Sequence, residues 1–459
     1  MNPFQNEDTI AAVATPPGEG GVAIIRVSGP QAEAVLRRVF APTKPWTGAI
    51  PSHRMRYGRV MDGPEAVDDG MAVFMAAPKS YTGEDTAEIH CHGGMAVTQA
   101  VLQGVLRAGA RLAQPGEFTR RAFIHGRMGL SEAEAVRDLI KAQSQAAARV
   151  ALQQLHGRLG REIQGLCQSL LDTLCKLEVT VDYPEDDLEE LAAFSAAQEI
   201  QQALGAIEGL LATANTGRIY REGVRCVLVG RPNAGKSSLM NMLLGEDRVM
   251  VTPLPGTTRD TVEAELEIGG VRLSLVDTAG LRPTKDQLES LGVARARNAM
   301  ESAQLILWVL DAAEGLTAED HTIYAQLSAC PHLIVWNKTD LPAQSLETLR
   351  AAFPATNAVE VSALTGQGLG ALSDAIGQAL SLGGVQPGEA VVSNVRHIEA
   401  LRQAASCLEA ALACLREGQP PDLCATDLRA AWRSLGTITG ETADEAVIDR
   451  IFSAFCLGK

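Results

Sequence analysis

A chain of 459 residues with 46% apolar composition has the length for roughly two to four domains and an ample core. No apolar run is long enough to span a bilayer, the start lacks a basic-then-apolar leader, and the nine cysteines include no C-x-x-C, which together predict a cytoplasmic protein with reduced thiols and no membrane partner. A net charge of −15 argues against holding nucleic acid by bulk electrostatics, so an RNA substrate would need a local basic patch or a partner.

Residues 1–125 read as mixed α/β. The turn-rich loop Thr15–Gly21 feeds a strand at Val22–Ile25, with Arg26 near its end. Further strands are expected at Gly70–Met75 and Thr86–His92, with the turn Tyr81–Asp85 between them and a helix over Met95–Arg107 behind them. Gln114-Pro-Gly-Glu-Phe118 and the basic Arg120, Arg121, His125 and Arg127 close the region. By residue chemistry alone, Arg26, Glu88 and Arg127 are polar groups near strand or loop ends, the pattern of a solvated rim. His90 and His92 would share one strand face, but no third ligand is evident, which disfavours a metal there.

Residues 126–219 are helical in texture. Ser131-Glu-Ala-Glu134 reads as a capping box opening an Ala/Leu/Gln-rich stretch that runs to about Val181. Pro184, within the acidic Asp182–Asp187, ends it. A further helix is expected from about Ala193 to Asn215, with Thr216-Gly-Arg218 as the link to the next domain.

The segment 220–385 carries the chemistry. Val224–Val229 is a short apolar run of the buried parallel type, Gly230-Arg-Pro-Asn-Ala-Gly235-Lys236-Ser237 follows it, and a helical pattern starts at Ser238. A glycine-rich loop between a strand and a helix N-terminus presents backbone N–H groups to phosphates, Lys236 to the β/γ-phosphates, and the Ser237 hydroxyl to Mg²⁺. Val262–Ile268 alternates, and Gly269-Gly270 turns it back as a hairpin into Val271–Val276, which ends at Asp277-Thr278-Ala279-Gly280. His332–Trp336 runs into Asn337-Lys338-Thr339-Asp340, whose Asp340 carboxylate can accept from the N1–H and N2 amino group of guanine together. Val359–Val361 leads to Ser362-Ala363-Leu364. Four such motifs at strand ends, in this order, define a Ras-like reader of GTP, with Leu281 where a water-orienting glutamine would stand. After the linker 381–388, helices are expected at Val395–Arg416, Asp422–Leu435 and Thr442–Phe455, the last opened by a second capping box, Thr442–Glu445. Helices on both sides predict one helical domain, 126–219 with 386–459, into which the nucleotide domain is inserted.

The tail Cys456-Leu457-Gly458-Lys459, the opening Asp8-Thr9-Ile10, the Gly83-Glu84-Asp85 turn and the Pro115-Gly-Glu-Phe118 block resemble the MnmE (TrmE) family of tRNA-modifying GTPases along essentially the whole chain. The resemblance implies an N-terminal α/β tetrahydrofolate-binding domain that forms a homodimer, a helical bundle domain and the inserted P-loop GTPase domain. It implies that the protein works with an FAD-dependent MnmG-type partner. Together they would place an aminomethyl or carboxymethylaminomethyl group on C5 of the wobble uridine of certain tRNA molecules, using a carbon from a 5,10-methylene- or 5-formyl-tetrahydrofolate. The family's folate contacts fall on Arg26, Glu88, Arg127 and Lys459, and its tail cysteine on Cys456. Its potassium ligands fall on Asn233, Thr252, Leu254 and Thr257, its magnesium ligands on Ser237 and Thr258, and its water-positioning glutamate on Glu289. GTP contacts are further expected along Asn233–Ser238, including Ala234, Gly235, Lys236 and Ser238, along Thr252–Thr258 with Pro253, Pro255 and Gly256, and at the three motifs downstream. The competing reading is a Ras-like switch in ribosome assembly. It shares the nucleotide motifs but not the folate-like N-terminal segment or the tail.

Overall fold

Ala23, Ile25 and Val27 lie opposite Cys91, Ile89 and Ala87, and all six are buried on one face of a sheet, which is what strand alternation demands when one face makes the core. The computed structural model describes residues 8–182, 189–245, 263–268, 270–277, 300, 302–327, 331–342, 353, 357–380, 390–419 and 421–459. Its first sheet comprises β1 (Ile10–Val13), β2 (Gly20–Ser28), β3 (Phe40–Pro42), β4 (Arg56–Asp62), β5 (Glu65–Met75), β6 (Thr86–Gly93) and β7 (Arg111–Leu112). The order is β3-β4-β5-β6-β2-β1-β7, antiparallel except for the β1/β7 pair. Helices α1 (Ala32–Val39) and α2 (Met95–Arg107) supply Val35, Leu36, Val101 and Val105 to the core on that face. Arg26 lies opposite Glu88 in the β2/β6 register, one step out of phase with the core residues, so the pair belongs to the other face. The short α3 (Glu117–Ile124) follows β7, and its Phe118 joins Ile10 and Ala12 in a small separate cluster.

The helical stretch expected as one run to Val181 is three helices: α4 (Leu130–Lys141), α5 (Gln145–Leu155) and α6 (Arg158–Asp182). Ser144 Oγ accepts from Ala147 N–H at 3.1 Å to start α5, and Gly157, at φ 72°, turns the chain before α6. The capping box at Ser131 does not form. The helix begins one residue earlier, Ser131 is buried inside it, and Glu132 Oε2 accepts from Gly129 N–H at 2.9 Å instead. The expected break at Pro184 lies outside the described residues; after it α7 (Glu189–Ala212) is followed by α8 (Ala214–Glu222), so the residues expected as a link, Thr216–Arg218, are helical.

The second sheet has the order β13-β12-β11-β8-β10-β9, formed by β8 (Val224–Val229), β9 (Glu263–Ile268), β10 (Val271–Asp277), β11 (Leu305–Asp311), β12 (His332–Asn337) and β13 (Ala358–Glu360). It is parallel apart from the expected β9/β10 hairpin. Leu305, Leu307 and Val309 enter one core while Ile306, Trp308 and Leu310 enter another, so β11 is buried on both faces, as a parallel strand between helix layers must be. Among the described residues, helices α9 (Lys236–Gly245), α10 (Ala318–Leu327) and α11 (Leu369–Ala379) accompany this sheet.

The chain then returns to helices α12 (Val395–Arg416), α13 (Pro421–Thr439) and α14 (Glu445–Ser453). The second capping box also fails. Asp444 is the N-cap of α14, and Thr442 Oγ1 donates to Arg433 O at 2.6 Å. Helix α13 packs along α6, which joins helices from either side of the nucleotide segment. By contacts the chain forms two compact units, Met1–Arg137 with Gln154–Gly205 and Ala400–Lys459, and Asp138–Gln153 with Ala206–Glu399. Among the described residues no helix is long and apolar enough to cross a membrane.

Candidate functional site

In the second unit, β8 delivers the chain into the phosphate loop and α9 begins at Lys236, the strand–loop–helix order the motif requires. Lys236 Nζ donates to Gly230 O at 2.7 Å and to Arg231 O at 2.8 Å, so its ammonium is folded over the loop that would hold phosphate. Asn233 stands at φ 62° and Gly235 at φ 95°. A Cβ at Gly235 would collide with Asn337 Nδ2, so only glycine lets the loop approach the base reader this closely. Asn337, 1% exposed, ties three motifs together. Its Nδ2 donates to Ala234 O at 3.0 Å, and its Oδ1 accepts from Ala363 N–H at 3.0 Å.

Ser362 Oγ donates to Asp340 Oδ1 at 2.6 Å while Asp340 stays exposed, which aims the carboxylate without covering it. Asp277 ends β10 opposite Leu228 of β8, beside the start of the loop. Ser237 stands in the first turn of α9, and its hydroxyl is a hard oxygen donor of the kind that suits Mg²⁺. Thr252–Thr258, Thr278–Gly280, Leu281 and Glu289 lie outside the described residues. Of the expected potassium ligands, Asn233 alone falls within them.

Sequence reasoning missed Asp311. It ends β11, its Oδ2 accepts from Lys338 Nζ at 2.6 Å, and its Oδ1 accepts from Ala313 and Glu314 N–H at 2.9 and 3.2 Å. Burial alone would raise the Asp311 carboxyl, but the Lys338 ammonium and the Glu314 N–H outweigh it and hold it below the usual range. Its one sequence signal is an acid at the end of an apolar run.

In the first unit a second constellation forms on the other face of the β2/β6 pair. Arg26 Nε donates to Glu88 Oε1 at 2.9 Å, and the guanidinium lies 5.3 Å from the Tyr81 ring centre and 5.8 Å from that of Phe118. The neighbouring His90 does most to lower the Glu88 carboxyl; burial opposes this and Arg26 adds to it. The end of the chain arrives here. Gly116 N–H donates to Cys456 O at 3.4 Å, and Gly458, at φ 89°, passes so close to Val13 O that a Cβ would collide. Burial and the Arg26 charge push the Lys459 ammonium below its usual value, with Glu88 opposing, which places all three in one electrostatic group.

Cys456 is exposed. Arg127 is exposed too, its stem bordering Gly83 of the turn that carries Tyr81. Arg26 Nη1 is buried without a hydrogen-bond partner among the described residues. A carboxylate, an unsatisfied donor and an ammonium suit a heterocycle with both donors and acceptors, which a reduced folate is.

Beneath this constellation lies a buried ionic hub. Arg121, 5% exposed, reaches Asp8 Oδ1 at 2.7 Å, Glu117 Oε1 at 3.1 Å and Glu84 Oε1 at 3.2 Å. Ser28 Oγ donates to Glu84 Oε2 at 2.7 Å, so the hub locks the Tyr81–Asp85 turn to β2 and α3.

A strand–loop–helix phosphate site with an N-K-x-D reader, set in a parallel sheet and accompanied by a helical part and an N-terminal α/β sheet, defines a multidomain Ras-like P-loop GTPase. A family model described as the MnmE helical domain matches residues 130–456, and one described as the GTP-binding protein TrmE N-terminus matches residues 9–127. The tRNA modification GTPase MnmE of Geobacillus kaustophilus is 46% identical, with 98% of this chain and 99% of that protein covered. The MnmE of Symbiobacterium thermophilum is 47% identical, with 99% and 100% covered. Among solved structures, Era of Aquifex aeolicus bound to GDP and AlF4⁻ is 29% identical, covering 40% of this chain and 66% of that one at a TM-score of 0.30. The chain belongs to the MnmE (TrmE) family of tRNA modification GTPases.

Proposed function

We propose that this chain hydrolyses GTP to drive modification of C5 of the wobble uridine in certain tRNA molecules, adding an aminomethyl or carboxymethylaminomethyl group with an FAD-dependent MnmG-type partner. The observation that carries the reading is the convergence of Arg26, Glu88 and Lys459, drawn from the two ends of the chain, on one constellation suited to a folate. Arg26, Glu88, Arg127 and Lys459 bind the folate and Cys456 stands at its edge. The bound 5,10-methylene- or 5-formyl-tetrahydrofolate supplies the carbon. The proposed division is 1–125 for the folate-binding and dimerisation domain, 126–219 with 386–459 for the helical domain, and 220–385 for the GTPase. The protein works in the cytoplasm as a homodimer.

In the nucleotide domain, the Gly230–Ser237 loop wraps the phosphates and Asp340 accepts from the guanine edge. Ser237 and Thr258 hold Mg²⁺, which neutralises phosphate charge when bound. Leu281 has no group to orient water, so Glu289 takes that role. Asn233, Thr252, Leu254 and Thr257 hold a potassium ion, which supplies positive charge to the phosphates when bound. The test is nucleoside analysis of tRNA from cells lacking this protein, then from cells carrying it again. Loss and return of the modified wobble uridine supports the proposal, and an unchanged profile refutes it.

A further inference from the structure

The segment Asp311–Asp320, from the end of β11 into α10, grips both halves of the nucleotide site. At one end Asp311, with its side chain 4% exposed, holds the Lys338 ammonium at 2.6 Å. Lys338 sits at φ 65°, a left-handed value that a lysine adopts only when its surroundings impose it. At the other end the segment holds Arg231, the residue after the first glycine of the phosphate loop. Arg231 Nη1 pairs with Glu314 Oε2 at 2.7 Å, and Nη2 donates to Gly315 O at 3.3 Å. Its Nε lies 3.7 Å from Asp320 Oδ2. Asp320 is 0% exposed. Its Oδ2 accepts from the Thr317 N–H and hydroxyl, while its Oδ1 and Arg231 Nε are both buried without a hydrogen-bond partner among the described residues. A fully buried carboxylate is costly unless a cation faces it, and the cation that faces this one belongs to the phosphate loop.

We propose that Asp311 and Asp320 are positioning residues of the nucleotide site, Asp311 setting the guanine-reading loop through Lys338 and Asp320 setting the phosphate loop through Arg231. The two loops take hold of opposite ends of one nucleotide, and the stretch between these acids fixes the span between them. Asn337 joins the same loops through Ala234 O, so the brace adds a second tie on the far side of Arg231 and Lys338. The proposal rests on the GTP reading of the loop.

The test is a pair of double-mutant cycles on the full chain, read by GDP affinity and by steady-state GTP hydrolysis. Asp311→Asn should raise the KM for GTP and the Kd for GDP about tenfold, the size of one charge-assisted hydrogen bond, with kcat nearly unchanged. Asp320→Asn should weaken affinity and also lower kcat, because Asn233 lies two residues beyond Arg231. Combining Asp311→Asn with Lys338→Met, or Asp320→Asn with Arg231→Met, should cost no more than the worse single change.

Additive losses in both cycles, or affinities at the wild-type level, overturn the proposal. Should the acid-to-amide variants fail to fold, Arg231 decides. Weakened affinity in Arg231→Met that returns in Arg231→Lys supports the brace, and wild-type affinity in Arg231→Met overturns it. A wild-type chain that binds no guanine nucleotide refutes the GTP reading itself, a result distinct from additive cycles in a chain that does bind.

Discussion

Gly116 N–H donates to the carbonyl of Cys456 at 3.4 Å, which fastens the end of the chain to the loop leading into Phe118. Phe118 in turn lies against the Arg26 guanidinium. The last four residues therefore border the constellation. Deleting Cys456–Lys459 should leave GTP turnover within about twofold, since no nucleotide motif lies within those residues. Binding of 5-formyl-tetrahydrofolate, measured by calorimetry, should fall steeply, and Arg26→Ala should reproduce that fall. Unchanged folate binding in the truncated chain would remove the tail from the site.

Asp340→Asn exchanges an acceptor for a donor at the guanine edge. The mispaired group should cost about 2–3 kcal/mol of GTP binding, while affinity for xanthosine triphosphate rises. Competition binding with the two nucleotides checks this, and an unaltered preference would rule out Asp340 as the base reader.

Turnover should depend on the monovalent cation. At equal ionic strength, GTP hydrolysis in potassium should exceed that in sodium by at least about tenfold, the scale of one electrostatic contact to the transition state. Asn233→Ala should erase the difference. Equal rates in the two salts would assign the missing charge to a side chain, with Arg282, next to Leu281 in sequence, the first to replace.

The Arg121 hub makes the first unit sensitive to acid. Arg111 and Arg121 outweigh the burial that would raise Asp8 and Glu117, and both carboxyls are held below their usual values. Carboxyls lowered by folding contribute stability that is complete above their ordinary range and is lost as pH falls through their folded values. The urea midpoint should thus hold steady near neutrality and decline below about pH 4.5, the ordinary glutamate value. Arg121→Met should cost about 1–3 kcal/mol, because Glu84 and Glu117 lose a charged partner while Arg111 still holds Asp8 and Glu117, and should lessen that decline. A midpoint indifferent to this substitution would show the hub to be dispensable.

Motif chemistry made the nucleotide site legible because its residues act at fixed spacings from a strand end. The helices Met95–Arg107 and Val395–Arg416 fall where their periodicity put them. What escaped is instructive. Leu305–Asp311 carries no nucleotide motif, so nothing drew attention to Asp311, although a continuous apolar run is the pattern of a buried parallel strand. Both capping boxes satisfied the sequence rule and failed in three dimensions, because Gly129 and Asp444 offered starts two residues before Ser131 and two after Thr442. Arg26 and Glu88 read as a solvated rim because sequence spacing cannot show that the last residues return to Val13, on the strand beside β2.

The pairing of α6 with α13 has a consequence for how the chain is made. Everything between them, the whole nucleotide sheet included, must leave the ribosome before α13 exists to meet α6. Domains fold as units during synthesis, so β8 to β13 can close their sheet while α6 still waits for that neighbour. A helix left waiting is a natural client for a chaperone, and slowing translation beyond residue 380 should prolong its exposure to one.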